Sequence, residues 1–168
     1  NIPYDKGGEI ALKGKVDEDW LQSLMDEPYY SMHPPKSTGR ELFNNDYAQK
    51  ILKNAPENKF DIIATITALT ARTIFDAYRH FVLPKTSIQE IVLGGGGAYN
   101  KALIKYLNSY FNNTVIIKTH KDFGIDDKFK EAIAFAMLGF CTLHKKCNNL
   151  MLCTGAQKRV IMGVVSYS

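Results

Sequence analysis

Four consecutive glycines, Gly94, Gly95, Gly96 and Gly97, separate an apolar run from an amphipathic run in IVLGGGGAYNKALIKYL. Glycine tolerates a positive φ and lets the backbone approach a ligand closely because it has no Cβ. At the end of a strand and just before a helix, the N–H groups of such a backbone suit an anion, with about 0.3–1 kcal/mol from the helix dipole. The pattern favours nucleotide contact, and the alternative is a tight turn without a ligand.

Two common nucleotide motifs do not fit this chain. A dinucleotide fingerprint starting at Gly94 would need glycine where Tyr99 stands, and it would need an acid after the next predicted strand, which ends at Lys118, Thr119 and His120. PPKSTGR lacks the leading glycine and the Gly-Lys order of a P-loop. The glycine run therefore predicts a nucleotide turn of another class.

A possible metal site occurs near the C-terminus, where Cys141, His144, Cys147 and Cys153 form a Cys-x2-His-x2-Cys-x5-Cys run. This is none of the usual zinc spacings, so free thiols at a helix end are the favoured interpretation and no metal site is predicted. Three cysteines make no disulfide framework and fit a reducing compartment.

Hydrophobic spacing and turn residues predict the elements that hold these residues. Helices are expected over 17–25, 40–53, 58–82, 98–111 and 127–144, and strands over 87–93 and 114–118, with an extended apolar tail at 159–167. The alternation indicates an α/β domain with helices packed on a mixed sheet. Because so few strands cannot cover so many helices, we expect further strands from upstream or from a partner.

Six stretches together resemble one known family. They are YDKGGEIALKGKV (4–16), PPKSTGRELF (34–43), DIIATITALTA (61–71), IVLGGGGAYN (91–100), DDKFKEAIAFAMLGF (126–140) and TGAQKRVIMG (154–163). In this order they are similar to the C-terminal half of anhydro-N-acetylmuramic acid kinases, and the related levoglucosan kinase shares the pattern. The resemblance covers nearly the whole chain.

The resemblance implies an actin/hexokinase/Hsp70-like ATPase fold, with residues 1–168 as the second lobe and the N-terminal lobe absent. It implies ATP and Mg2+ as cofactors, a 1,6-anhydro sugar as substrate, a homodimer and a cytoplasmic enzyme of cell-wall sugar recycling. In that reaction, water attack on the anhydro bridge is coupled to phosphoryl transfer to the sugar.

Residue by residue, the resemblance assigns the four glycines and Asn100 to the nucleotide and Glu131 to the sugar. Asn100 could instead cap the following helix, and Glu131 could simply be an acid in a first helical turn. Four further residues match the signature after the two prolines and could support the active site or form a rigid, capped entry to a helix. They are Lys36, Ser37, Thr38 and Arg40.

The family's phosphate loop and its catalytic aspartate do not occur in this chain, so the base is expected upstream of Asn1. We expect the chain alone to be inactive and to bind nucleotide weakly at most. A levoglucosan kinase-like enzyme and a degenerate nucleotide-binding or dimerisation module remain alternatives. The net charge of +4 is scattered along the chain, and no apolar run nears the roughly 20 residues of a membrane span, so neither nucleic acid nor membrane is an expected partner.

Overall fold

The computed structural model describes residues 3–151 and 155–166, and the chain divides into two compact units at Thr119 and His120. Among the described residues, the first unit contains five α-helices and both strands, and the second contains one α-helix and the C-terminal segment. In chain order the elements are α1 (Glu18–Leu24), α2 (Pro28–Ser31), α3 (Asn45–Leu52), α4 (Lys59–Phe81), β1 (Glu90–Leu93), α5 (Lys101–Tyr110), β2 (Ile116–Thr119) and α6 (Lys130–Leu143).

The sheet of the first unit consists of β1 and β2, which pair in parallel with Ile91 opposite Ile117. A parallel pair needs a crossover connection, which α5 provides. The α/β prediction is confirmed, but within the described residues the sheet is parallel rather than mixed. The expected extended tail forms no strand over residues 159–166, and Tyr167 lies outside the described residues.

The long helix α4 begins where the sequence predicts, because Asn58 Oδ1 accepts a hydrogen bond from the Phe60 N–H at 2.9 Å. Its buried face differs from the face that helical spacing predicts, which consists of Ile63, Ile66, Thr70, Ile74, Tyr78 and Phe81. Small residues dominate that face, and the buried set is Ala64, Thr65, Ala68, Leu69 and Ala71. Small side chains let neighbouring backbone approach the helix, while the bulkier Ile63, Ile66 and Ile74 are only half-buried.

The start of α3 also differs from the sequence prediction, and capping explains the difference. The helix expected over 40–53 begins only at Asn45, because Asn44 Oδ1 accepts from the Tyr47 N–H at 2.9 Å. Pro28 follows the end of α1 and occupies the first turn of α2, where its missing N–H costs nothing.

The second unit is built on α6, which has no side-chain cap and no buried residue. Two asparagines hold the C-terminal segment against the end of this helix. Asn148 Nδ2 donates to the Leu138 carbonyl at 3.0 Å, and Asn149 Oδ1 accepts from the Val160 N–H at 2.8 Å. Asparagine side chains therefore hold the segment that the sequence predicts to be extended.

In the part of the chain that the structure describes, no helix is both long and apolar enough to cross a membrane.

Candidate functional site: the glycine turn

The glycine turn, residues 94–97, connects the carboxyl end of β1 to a 3-10 helix at Gly96–Tyr99 and then to α5. Gly95 has φ 79° and ψ −171°, a conformation that is essentially restricted to glycine. A Cβ on Gly95 or Gly96 would meet nothing within 4 Å, and all four glycines are exposed. The turn is therefore open backbone with free space beside it.

Asn100 holds the start of α5. Its backbone is extended, and its Oδ1 accepts a hydrogen bond from the Leu103 N–H at 3.0 Å. The helix therefore begins after Asn100 rather than at residue 98 as predicted. The capping alternative for this residue is confirmed, which leaves contact with a ligand as a separate proposal.

A buried core fixes α5 behind the turn. Ala102 and Leu107 are completely buried, and Leu107 packs with Ile91 of β1 in one apolar cluster. The core and the Asn100 cap therefore hold the strand before the glycine turn and the helix after it.

Gly8 is a neighbour of this site that sequence reasoning did not single out. A Cβ built on it would collide with Asn100 Oδ1 and lie 2.9 Å from the Ala102 nitrogen. The presence of Gly7, Gly8 and Gly14 within eight residues indicates close backbone approaches in this segment. It does not reveal which distant residue each glycine contacts.

The four residues that follow the two prolines, among them Lys36, also lie in the first unit, and Lys36 contacts α2. Lys36 Nζ donates to the carbonyls of Tyr29 and Tyr30, both at 2.9 Å, and stands 4.7 Å from the centre of the Tyr29 ring. Thr38 is half-buried, whereas Ser37 and Arg40 are exposed. These contacts hold the loop at Lys36 against α2. That the four residues support the active site remains a proposal.

A cavity of about 580 Å3 adjoins Lys36 and is walled by aromatic rings, among them Tyr30, Phe43 and Tyr47. Burial, together with the neighbouring Tyr47 hydroxyl, raises the pKa of Tyr30 above its usual range. The phenol therefore stays neutral over the physiological range and contributes to packing.

Glu131 lies in the second unit, in the first turn of α6, and is exposed. Its carboxylate position near a helix N-terminus is electrostatically favourable whether or not it binds a sugar. The structure thus places Glu131 in the helix predicted for it, and the sugar contact remains a proposal.

The possible metal ligands do not assemble within the described residues, which contain no group of three His, Cys, Asp or Glu residues suited to an ion. Cys141 and Cys147 are free thiols, and Cys153 lies outside the described residues.

Comparison with known proteins identifies the family of this chain. The family model for anhydro-N-acetylmuramic acid kinase matches residues 1–168. The chain belongs to the anhydro-N-acetylmuramic acid kinase family. Membership over the whole chain confirms the resemblance drawn from the six stretches.

Curated members of the family support this assignment and set its extent. A protein of Francisella tularensis subsp. novicida named anhydro-N-acetylmuramic acid kinase is 47% identical over 99% of this chain and 44% of its own length. The proteins of that name from Clostridioides difficile and Caldanaerobacter subterraneus are 41% and 39% identical, over 43% and 42% of their lengths. The chain thus spans less than half the length of these relatives.

Proposed function

We propose that this chain is the C-terminal, nucleotide-binding lobe of an ATP-dependent anhydro-N-acetylmuramic acid kinase with an actin/hexokinase-like fold. The observation that carries the proposal is the open glycine turn at the carboxyl end of β1 in a chain that belongs to this family throughout. The names of the curated relatives favour anhydro-N-acetylmuramic acid over levoglucosan as substrate. They also count against a module without activity.

The open space beside Gly95 and Gly96 fits a nucleotide that approaches the backbone closely. ATP, when bound, supplies the phosphoryl group that is transferred to the sugar. The four glycines provide access for it, and Asn100 keeps the first turn of α5 in place beside it. Since Mg2+ is usually held by phosphates and only one or two carboxylates, the described residues need not form an ion site of their own.

We further propose that Glu131 accepts hydrogen bonds from hydroxyl groups of the anhydro sugar. A carboxylate has two acceptor oxygens and suits this task. The general base that activates the attacking water must lie within hydrogen-bond reach of it, and we propose that it comes from a part of the protein outside this chain. The homodimer and the cytoplasmic location remain predictions from the resemblance.

The experiment is an assay of ATP-dependent phosphorylation by the complete gene product, with anhydro-N-acetylmuramic acid and levoglucosan as alternative substrates. We expect turnover with the first sugar and a kcat/KM at least about tenfold lower with the second, because a missing polar contact in a sugar site is costly. Equal activity on both, or activity on levoglucosan alone, would reject the assignment.

The role of Glu131 is tested in the same assay with Glu131→Gln, using Asp126→Asn as the matched control. Asp126 is an exposed acid whose Oδ1 accepts from the Lys128 N–H, so its amide variant can keep that bond. We expect Glu131→Gln to raise KM for the sugar and leave KM for ATP unchanged, while the control changes neither.

A further inference from the structure

Residues 5–14, here called the strap, form two short 3-10 turns that lie against α4 and α5. The strap is held in shape from within. The Asp5 carboxylate accepts hydrogen bonds from the N–H groups of Ile10 at 2.8 Å and Ala11 at 3.0 Å. Ala11 is completely buried, so the strap is anchored in the core of the first unit.

The strap touches the beginning of each of the two helices through a glycine. Gly8 is buried against the Asn100 cap of α5, with φ 76°. Gly14 lies against the first turn of α4, where a Cβ would collide with the Phe60 carbonyl and lie 2.8 Å from the Asp61 nitrogen. Neither position has room for a side chain.

Side-chain hydrogen bonds continue the attachment to α4 just beyond the strap. The Lys15 N–H donates to Asp61 Oδ1 at 2.7 Å, and the Asp17 N–H donates to Thr65 Oγ1 at 2.9 Å. Thr65 is completely buried, so this attachment is specific. The strap therefore joins α4 directly to the residue that caps α5 at the end of the glycine turn.

We propose that the strap positions the glycine turn for nucleotide, with Gly8 as its positioning residue and Asp5 as the residue that fixes its shape. The inference rests on the proposed function, because it needs the turn to face a nucleotide. Gly8 does not touch the ligand on this account. It acts through Asn100, whose side chain it leaves room for.

Gly7 provides a matched control for Gly8. Both have a positive φ, 68° and 76°, so alanine at either position suffers the same left-handed strain. A Cβ on Gly7 meets nothing within 4 Å, whereas a Cβ on Gly8 meets the Asn100 cap. The difference between the two variants therefore isolates the contact with the cap.

The test is calorimetric titration of the complete gene product with ADP, for wild type, Gly7→Ala, Gly8→Ala and Asp5→Ala. We expect Gly8→Ala to raise the Kd for ADP at least about tenfold over Gly7→Ala. Asp5→Ala adds no bulk and so creates no clash with Asn100, which makes it a second test of the strap. We expect it to raise the Kd about threefold or more, with Asp5→Asn between it and wild type. In the kinase assay the KM for ATP should rise while the KM for the sugar stays unchanged.

The possible outcomes distinguish failure of the strap proposal from failure of the proposed function. If wild type does not bind ADP, the proposed function falls and the strap proposal falls with it. If wild type binds ADP and neither Gly8→Ala nor Asp5→Ala differs from Gly7→Ala, the function stands and the strap proposal is overturned. A loss of thermal stability in Asp5→Ala with an unchanged Kd for ADP also overturns it, since that would be a merely structural role.

Discussion

Helix α5 follows the proposed nucleotide turn and α6 carries the proposed sugar ligand Glu131, yet the two helices are held very differently within their own units. The first turn of α5 is capped by Asn100, and three of its residues are buried. No side chain caps α6, and none of its residues is buried. The contrast teaches that buried contacts and a cap fix the helix beside the proposed nucleotide turn, whereas neither a side-chain cap nor a buried residue fixes the helix that carries the proposed sugar ligand.

The largest expected effect on stability tests this contrast with one leucine-to-alanine substitution in each of the two helices. Leu107 is completely buried, and Leu143 is 66% exposed. We expect Leu107→Ala to lower the free energy of unfolding of this chain by about 2–5 kcal/mol, because it leaves a cavity. Leu143→Ala should cost less than about 1 kcal/mol. Urea unfolding measures both, and equal losses would break the comparison.

The next effect concerns the hydrogen bonds of Asn149 in the second unit. Asn149 is buried, accepts from the Val160 N–H at 2.8 Å and donates to the Lys158 carbonyl at 2.9 Å. Asn149→Ala leaves both backbone groups without this partner and should cost about 1–3 kcal/mol locally. Hydrogen exchange at the Val160 amide should accelerate while exchange in α5 is unchanged. Unchanged protection at Val160 would show that the asparagine does not hold the segment.

A smaller effect separates the two roles of Asn100. Asn100→Ala should destabilise the chain by about 1 kcal/mol, because the Leu103 N–H loses its cap. Asn100→Ser keeps a capping oxygen and should retain most of the stability. The affinity of the complete protein for nucleotide then decides whether Asn100 also contacts the ligand. If serine preserves stability but weakens ADP binding, Asn100 also contacts the ligand, and if both properties survive, it is a cap only.

The smallest effect depends on pH and should be confined to the first unit. Burial raises the pKa of Tyr30, so the folded state retains the phenolic proton more strongly than the unfolded state does. Stability from this difference is fully present below the ordinary tyrosine pKa of about 10 and is lost as pH rises through the higher folded pKa. Tyr30→Phe should flatten the fall in thermal stability above pH 10. An unchanged alkaline profile would contradict the assigned cause.

Local signals predicted the ordered parts of the fold well. Asp17 caps α1, since its Oδ1 accepts from the Trp20 N–H, and Trp20, Leu21 and Leu24 are buried as their spacing indicates. The start of α4 at the Asn58 cap and the two strands on either side of α5 were also predicted from local sequence. These features depend on residues within a few positions of each other, which a sequence displays directly.

Features that depend on distant backbone could not be predicted in the same way. The meeting of Gly8 with Asn100 joins residues far apart in the chain, and no periodicity marks it. The apolar tail is predicted to be extended because its residues favour that conformation, but the sequence does not reveal that the side chains of Asn148 and Asn149 accept hydrogen bonds from its backbone. For the candidate site, the glycine turn was predicted from its own residues, whereas the roles of Glu131 and Lys36 came only from the resemblance.

The central claim is that open backbone at the glycine turn faces a nucleotide, and Gly96→Val tests it most directly. A Cβ there meets nothing within 4 Å, so valine should leave thermal stability unchanged while filling the space beside the turn. Calorimetric titration of the complete protein with ADP should then show the Kd raised at least about tenfold, or 1.4 kcal/mol. An unchanged Kd in a stable Gly96→Val protein would contradict the account.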